Sequence, residues 1–319
     1  TNLKKFMTKY RAIRERTHTS IKTGSWYIPA DRLDEFHDLY YEYTIVNGII
    51  DKFAYMTEVP LSMSCIKIDI DMRWIDEKLE RRYGRDLIVE ILQVYYDVLR
   101  DIVNFVHDNE WHAFVFQKDN PARTRKKENE NKDGLHILWP FLNVSPYVEE
   151  LVRDRVLVEF KERKTFEPLR LTNKLSDLID KAVCGSRQCW QMYGSRKPKC
   201  EAYKLTHIYQ VEEHKIKELD VSTFSDRELL DILSIQNKNS ISLIKESIRK
   251  EIEEEEFQQE EIKATRRYLM EIKRKKRKNA KKNRMKDADL DNVCKLVDIL
   301  NPHRRVSSYQ DWFQLGLAL

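Results

Sequence analysis

CIKIDIDMRW, residues 65–74, decides how the rest of the chain is read. Asp69 and Asp71 sit two apart in a run that otherwise reads as a buried β-strand. Side chains two apart on a strand share a face, so both carboxylates project from one side of a sheet. Burying two carboxylates side by side is costly unless a cation or protons neutralise them. A divalent metal is the usual answer, and hard oxygen ligands suit Mg²⁺ or Mn²⁺. Taken alone, the pair also fits a strand whose second face is solvated.

Outward from this strand, helices and strands alternate. Before it, Ser25–Pro29 (SWYIP) reads as a strand after the Thr23-Gly24 turn. Residues 31–43 then place Leu33, Phe36, Leu39 and Tyr40 on one helical face. After it, residues 75–109 read as a long amphipathic helix, interrupted near Gly84. Strands are expected at His112–Gln117 and Gly134–Trp139, helices at 146–163 and 173–182, and strands at 189–193 and 203–210. The segment between Lys118 and Lys132 is a polar loop whose basic run 123–127 lacks apolar anchors.

The chain changes character from about 213. Glutamate dominates 245–261, while Lys and Arg dominate 263–286; Lys273, Arg274, Lys275, Lys276, Arg277 and Lys278 form the densest run. Three readings stand for that run: a solvated helical linker, an arm that neutralises DNA phosphates, or a nuclear localisation signal. A new amphipathic pattern begins at Asp287. The division is therefore 1–212 for a catalytic domain, 213–286 for a charged helical linker, and 287–319 for the start of a small helical domain. The chain begins at Thr1 and stops inside the pattern FQLGLAL, so it reads as a piece of a longer protein.

Composition narrows the classes. Of the 319 residues, 41% are hydrophobic and 35% charged, enough apolar material for a real core under a highly charged surface. The 7 glycines and 8 prolines are too few for a loop-rich or all-β chain. The 5 cysteines are odd in number and scattered, which fits free thiols in a reducing compartment rather than a disulfide framework. No apolar stretch is long enough to cross a bilayer, and no signal peptide is visible. An intracellular, soluble protein is expected. Cys184, Cys189, Cys200 and His207 lack the tight cysteine pair of zinc sites, so zinc is not expected.

Further residues carry chemistry. His136 shares a strand face with Gly134, and a glycine there marks a close backbone or ligand approach. Asp180 lies in an apolar run, followed by Ser186, Arg187 and the turn GSRKPK at 194–199. Glycine, serine and three basic residues in six positions suit a phosphate. A carboxylate pair, a third carboxylate, a histidine and a basic turn together fit two-metal nucleotidyl transfer.

In this order, IDID (68–71), GLH (134–136) and Asp180 followed by SRK (195–197) resemble the three motifs of the archaeo-eukaryotic primase superfamily. The resemblance is nearest to the N-terminal primase domain in primase-helicases of nucleocytoplasmic large DNA viruses, and covers roughly residues 17–210. It implies an α+β fold: an RRM-like antiparallel sheet carrying the site, an N-terminal α/β unit beside it, and a helical C-terminal extension. It also implies that Asp69, Asp71 and Asp180 bind catalytic Mg²⁺ or Mn²⁺. His136, Ser195 and Lys197, assisted by Arg187, would hold the incoming nucleoside triphosphate. The implied activity is primer synthesis on single-stranded DNA during viral replication, in the host cytoplasm, with a helicase domain in the same full-length chain. Rival readings are a catalytically silent DNA-binding module that loads a replicative helicase, and a metal-dependent nuclease. Two departures stand out: Gly134 where many relatives have serine, and Gln191 where several have arginine. Removing Asp69 or Asp71 is expected to relieve repulsion, leaving thermal stability level or higher.

Overall fold

The computed structural model describes residues 2–124, 127–184, 188–212, 215–236, 242–254, 269, 270 and 273. The chain forms two compact units, Thr1–Arg249 and Lys250–Leu319. The described residues of the second unit are helical. Arg274–Lys278 and the expected domain 287–319 lie outside the described residues.

The first unit is α+β, as the sequence indicates, and is built on two main sheets. Its strands in chain order are β1 (His18–Ser20), β2 (Ser25–Trp26), β3 (Met56–Glu58), β4 (Ser64–Ile75), β5 (Val103–Asn104), β6 (Ala113–Gln117), β7 (Ala122–Arg123), β8 (Glu130–Val144), β9 (Trp190–Gln191), β10 (Lys204–Glu212), β11 (Lys215–Leu219) and β12 (Leu243–Ile244). Its α-helices are α1 (Asn2–Lys9), α2 (Leu33–Tyr40), α3 (Arg85–Ile102), α4 (Pro146–Arg163), α5 (Lys181–Cys184) and α6 (Asp226–Ile232). The larger sheet runs β11-β10-β6-β8-β4, with every neighbouring pair antiparallel and β7 added to β8. Its central elements follow the chain order β-α-β-β-α-β, from β4 through α3, β6, β8 and α4 to β10. The smaller sheet runs β2-β1-β3-β9, so β9 returns from late in the chain to the N-terminal layer.

Each layer has its own core. Phe36, Tyr40, Phe53, Trp26 and Met56 centre the N-terminal one. On the larger sheet, the apolar side chains of β4 are buried at Ile66, Ile68, Ile70, Met72 and Trp74. The opposite face of that sheet carries Phe114, Phe116 and Leu138, packed with Trp190, Leu229 and Leu233. Lys67 breaks the apolar pattern at no exposure, where it meets Glu149 of α4 with both carboxylate oxygens 3.0 Å from Nζ.

Several elements differ from the expectation. The helix expected over 75–109 starts only at Arg85, with Gly84 at its N-cap. Residues 76–82 instead bend away, Arg82 donating to the carbonyls of Ile75 and Leu169 and to Asp76. The strand at Gly134–Trp139 extends to Glu130–Val144. The helix expected over 173–182 is replaced by a 3₁₀ turn at Leu175–Asp177, a single bridge of Ile179 to Ile70, and the short α5.

The boundary expected at 212 falls inside the β10–β11 hairpin, and the first unit runs on to Arg249. Leu229, Leu233 and Ile235 enter the core, and buried Glu58 accepts from the Ser234 hydroxyl (2.5 Å) and the Ile235 amide (3.1 Å). Arg227 bonds Asp34, Asp38 and Asp231, tying α6 to α2. The β5–β12 pair anchors 243–244.

Candidate active site

The site grows from the pairing of β4 with β8. Asp69 lies opposite His136 and Asp71 opposite Gly134, so all four share one face. His136 Nε2 is 3.5 Å from Asp69 Oδ1, close enough for an ion pair. That oxygen is buried and has no hydrogen-bond partner among the described residues. Burial alone would raise the Asp69 carboxyl, but His136, Lys197 and Lys118 outweigh it and hold it below the ordinary carboxylate range. Asp71 is about half exposed, with Arg73 3.9 Å away.

Gly134 is required by the spacing of the strands. A Cβ there would stand 2.5 Å from the carbonyl oxygen of Ile70 and 3.2 Å from Tyr203 Oη. The backbone of β4 cannot yield without disturbing Asp69 and Asp71 on either side of Ile70. Gly134→Ala is expected to cost about 1–3 kcal/mol of stability through overpacking, read as a lower urea midpoint with an unchanged slope.

The outer edge of β4 is sealed by the segment that carries the third carboxylate. Asp71 N–H donates to Leu178 O (2.8 Å), and Asp180 N–H donates to Asp69 O (3.1 Å). Asn173 bridges the Asp71 carbonyl (2.7 Å) and the Arg73 amide (3.0 Å), and Thr172 N–H reaches Arg73 O (2.7 Å). This pairing holds the Asp180 backbone beside that of Asp69. Its side chain is otherwise engaged: Oδ1 accepts from Ala182 N–H (2.9 Å) at the start of α5, and Oδ2 lies 3.5 Å from Gln188 Nε2. Among the described residues, no group of three His, Cys, Asp or Glu side chains is placed to hold a metal ion.

The basic turn reaches the site from the N-terminal layer. Ser195 and Arg196 hang from the single carbonyl of Ala54, and Gln191 Nε2 donates to Ser195 O (2.5 Å). Gly194 sits at φ +74, and a Cβ there would press on Ile45 at 3.0 Å. Ser195 is buried, its hydroxyl 3.4 Å from Ala54 O, so it pins the turn. Lys197 instead lines a cleft of about 530 Å³, together with Asp69, His136, Gln188, Cys189 and Gln191. Thr19 and Thr57, hydroxyls 2.6 Å apart, form part of the far wall. Arg187 lies outside the described residues. Cys65, Cys184, Cys189 and Cys200 are free; Cys294 lies outside the described residues.

A profile of the family described as the C962R protein N-terminal AEP domain matches residues 17–209 of this chain. The chain belongs to this archaeo-eukaryotic primase-type family. A protein of Acanthamoeba polyphaga mimivirus named "Putative helicase L207/L206" is 28% identical over 214 residues. The match takes in 64% of this chain and 21% of that protein, so the chain spans about a fifth of the relative's length.

In this AEP domain, residues that the sequence alone does not mark stand beside the site. The His136 ring stacks on Tyr203 at 3.6 Å and 21°, and Trp190 lies 4.7 Å from it on a tilt. Lys118 Nζ sits 4.7 Å from the Tyr203 ring centre. Arg81 bonds both Asp133 (2.6 Å) and the Lys118 carbonyl (2.5 Å), tying β8 to the end of β6. Burial, followed by the charges of Asp69 and Asp71, keeps the Tyr203 phenol protonated far into alkali. No spacing rule marks an aromatic at 203; the only signal was that it opens a strand next to the basic turn. Among the described residues, no helix is long and apolar enough to cross a membrane.

Proposed function

We propose that this AEP domain is a primase-polymerase that extends primers on single-stranded DNA by metal-dependent nucleotidyl transfer. The observation that carries the reading is the buried Asp69 oxygen, 3.5 Å from His136 Nε2 and without a hydrogen bond of its own, on one face with Asp71 and beside a cleft lined by His136 and Lys197. Mg²⁺ is commonly held by one or two carboxylates, with substrate phosphates and water completing its shell. Asp69 and Asp71 suit that arrangement. Asp180, with Oδ1 taken by the Ala182 amide and Oδ2 only 3.5 Å from Gln188 Nε2, keeps lone pairs with which it would join them. When bound, Mg²⁺ or Mn²⁺ would activate the primer 3′-hydroxyl and neutralise the leaving pyrophosphate.

The chain's own groups supply position and charge. Lys197, presented by a turn fixed on Ala54, offers an ammonium to the triphosphate. His136, held between Tyr203 and Trp190, offers an imidazole edge on the same side as Asp69. Ser195 acts through the turn that it pins. Gln191 keeps the turn closed through the Ser195 carbonyl.

The relative's name supports a helicase in the full-length protein; a place in viral DNA replication, at host cytoplasmic sites, is proposed beside it. The run 273–278 is proposed as a phosphate-binding arm on the strength of its charge alone.

Incubation with a primed single-stranded template, Mg²⁺ or Mn²⁺ and labelled nucleotides tests the reading. Extension supports it. Cleavage of the template supports a nuclease, and a band shift alone supports a silent helicase-loading module. His136→Ala and Lys197→Ala are expected to weaken nucleotide binding roughly ten- to a hundredfold, the value of a charge-assisted contact, with template affinity unchanged. Equal losses for both ligands would remove these two residues from the nucleotide site.

A further inference from the structure

Gly134 leaves a space on the site face, and the side chain that fills it comes from another strand. Tyr203 Oη stands 3.2 Å from the point a residue-134 Cβ would occupy. Its ring lies face to face with His136, centroids 3.6 Å apart. The hydroxyl is therefore held over the β4–β8 pair, between the position facing Asp71 and the position facing Asp69. Tyr203 immediately precedes β10, and Lys204 pairs with Gln117 at the end of β6, so the approach is fixed by the sheet itself. Lys118, one residue beyond that pairing, places its ammonium over the same ring. The ring thus has an aromatic neighbour and a cation neighbour, while its hydroxyl makes no hydrogen bond to any described residue.

A phenol fixed so rigidly, with no protein acceptor, suits a ligand acceptor. Its surroundings name the ligand's chemistry. Lys118 places an ammonium over the ring and the His136 ring stacks on it, beside the Asp69 and Asp71 carboxylates. A hydroxyl donor and an ammonium next to a carboxylate pair match the oxygens of a cation-bound polyphosphate better than a sugar or a base. We propose that Tyr203 is a nucleotide-contacting residue: its hydroxyl donates a hydrogen bond to the triphosphate of the incoming nucleotide, while its ring sets the plane of His136. This rests on the primase-polymerase reading above and names a further residue of that site.

Tyr203→Phe keeps the ring and removes the donor. With a primed template and Mg²⁺, it is expected to raise KM for dATP about ten- to a hundredfold, with kcat little changed and the melting temperature held. Inorganic tripolyphosphate, added as a competitor, should lose potency by the same factor. Tyr203→Leu removes the ring as well and should lower kcat further, as His136 loses its plane. Should the leucine variant fold poorly, the phenylalanine variant decides. Wild-type KM in Tyr203→Phe overturns the inference alone. A raised KM for dATP with tripolyphosphate unaffected moves the contact to the sugar or base and overturns the triphosphate assignment. A wild-type chain that incorporates no nucleotide overturns the function reading and this inference with it.

Discussion

Asp69→Asn and Asp71→Asn are each expected to remove templated incorporation, by about a thousandfold or more, since a metal-holding carboxylate supplies several kcal/mol of charge stabilisation in the transition state. Primer extension at saturating Mn²⁺ is the measurement; a variant within tenfold of wild type would refute the metal-site assignment. The effect on stability reverses what the sequence suggested. The carboxylate pair reads as a repulsion whose removal helps the fold. In the structure, burial works against the Asp69 charge, but His136, Lys197 and Lys118 more than compensate, and the carboxyl titrates below the ordinary 3.8. A carboxylate depressed in the fold stabilises it above its unfolded value, and that contribution fades as pH falls through the folded value. Asp69→Asn should therefore melt below wild type at pH 7. The gap should close in acid, below about pH 4, where unfolded carboxylates already bind protons.

The largest stability effect is expected at Lys67 and Glu149. Both are fully buried, and Glu149 also lies 3.3 Å from the Lys67 amide. Glu149→Leu leaves an ammonium in the core without its carboxylate, a change that typically costs about 3–5 kcal/mol. The double variant Lys67→Met, Glu149→Leu should recover most of this, because apolar replacements of similar volume often equal or exceed a buried pair. Urea unfolding of the two singles and the double gives the coupling directly. A double variant no better than the Glu149→Leu single would show that the pair is not what the core depends on. Since Lys67 is two residues before Asp69 on β4, its anchorage to α4 also fixes the height at which the site carboxylates emerge.

Much of this was legible in the chain. Asp69, Asp71 and His136 carry it by period alone: a two-residue repeat on one strand and a glycine-marked strand facing it. The α+β class came with the family resemblance, since alternation of strands and helices alone also fits a parallel α/β sheet. The stretch 173–182 reads as a helix because Leu175, Leu178 and Ile179 recur at helical spacing. Periodicity reports burial, not which backbone groups need partners, and here the open edge of β4 claimed that backbone. KIKEL at 215–219 looked like the start of a charged helix for a related reason. An edge strand with its flank in water carries the same lysines and glutamate that a solvated helix does. Residues 76–82 have good helix formers, yet Arg81 and Arg82 are drawn to Asp133, Lys118 and Leu169 by contacts no local window contains. Tyr203 and Trp190 were invisible as site residues because their role depends on β9 and β10 reaching His136 from far along the chain.

The strip that seals β4 has a consequence beyond catalysis. Leu178–Asp180 is both the cover on an otherwise open row of backbone donors and acceptors and the carrier of a carboxylate assigned to the site. A change that loosens it would bare a long strand rich in isoleucine, the kind of surface onto which a second chain adds. Loss of function by that route would come with self-association, whereas Asp180→Asn, which keeps the strip in place, would leave the protein monodisperse. The ratio of soluble to clumped protein across substitutions in 172–180 would thus tell which of the two duties each residue serves.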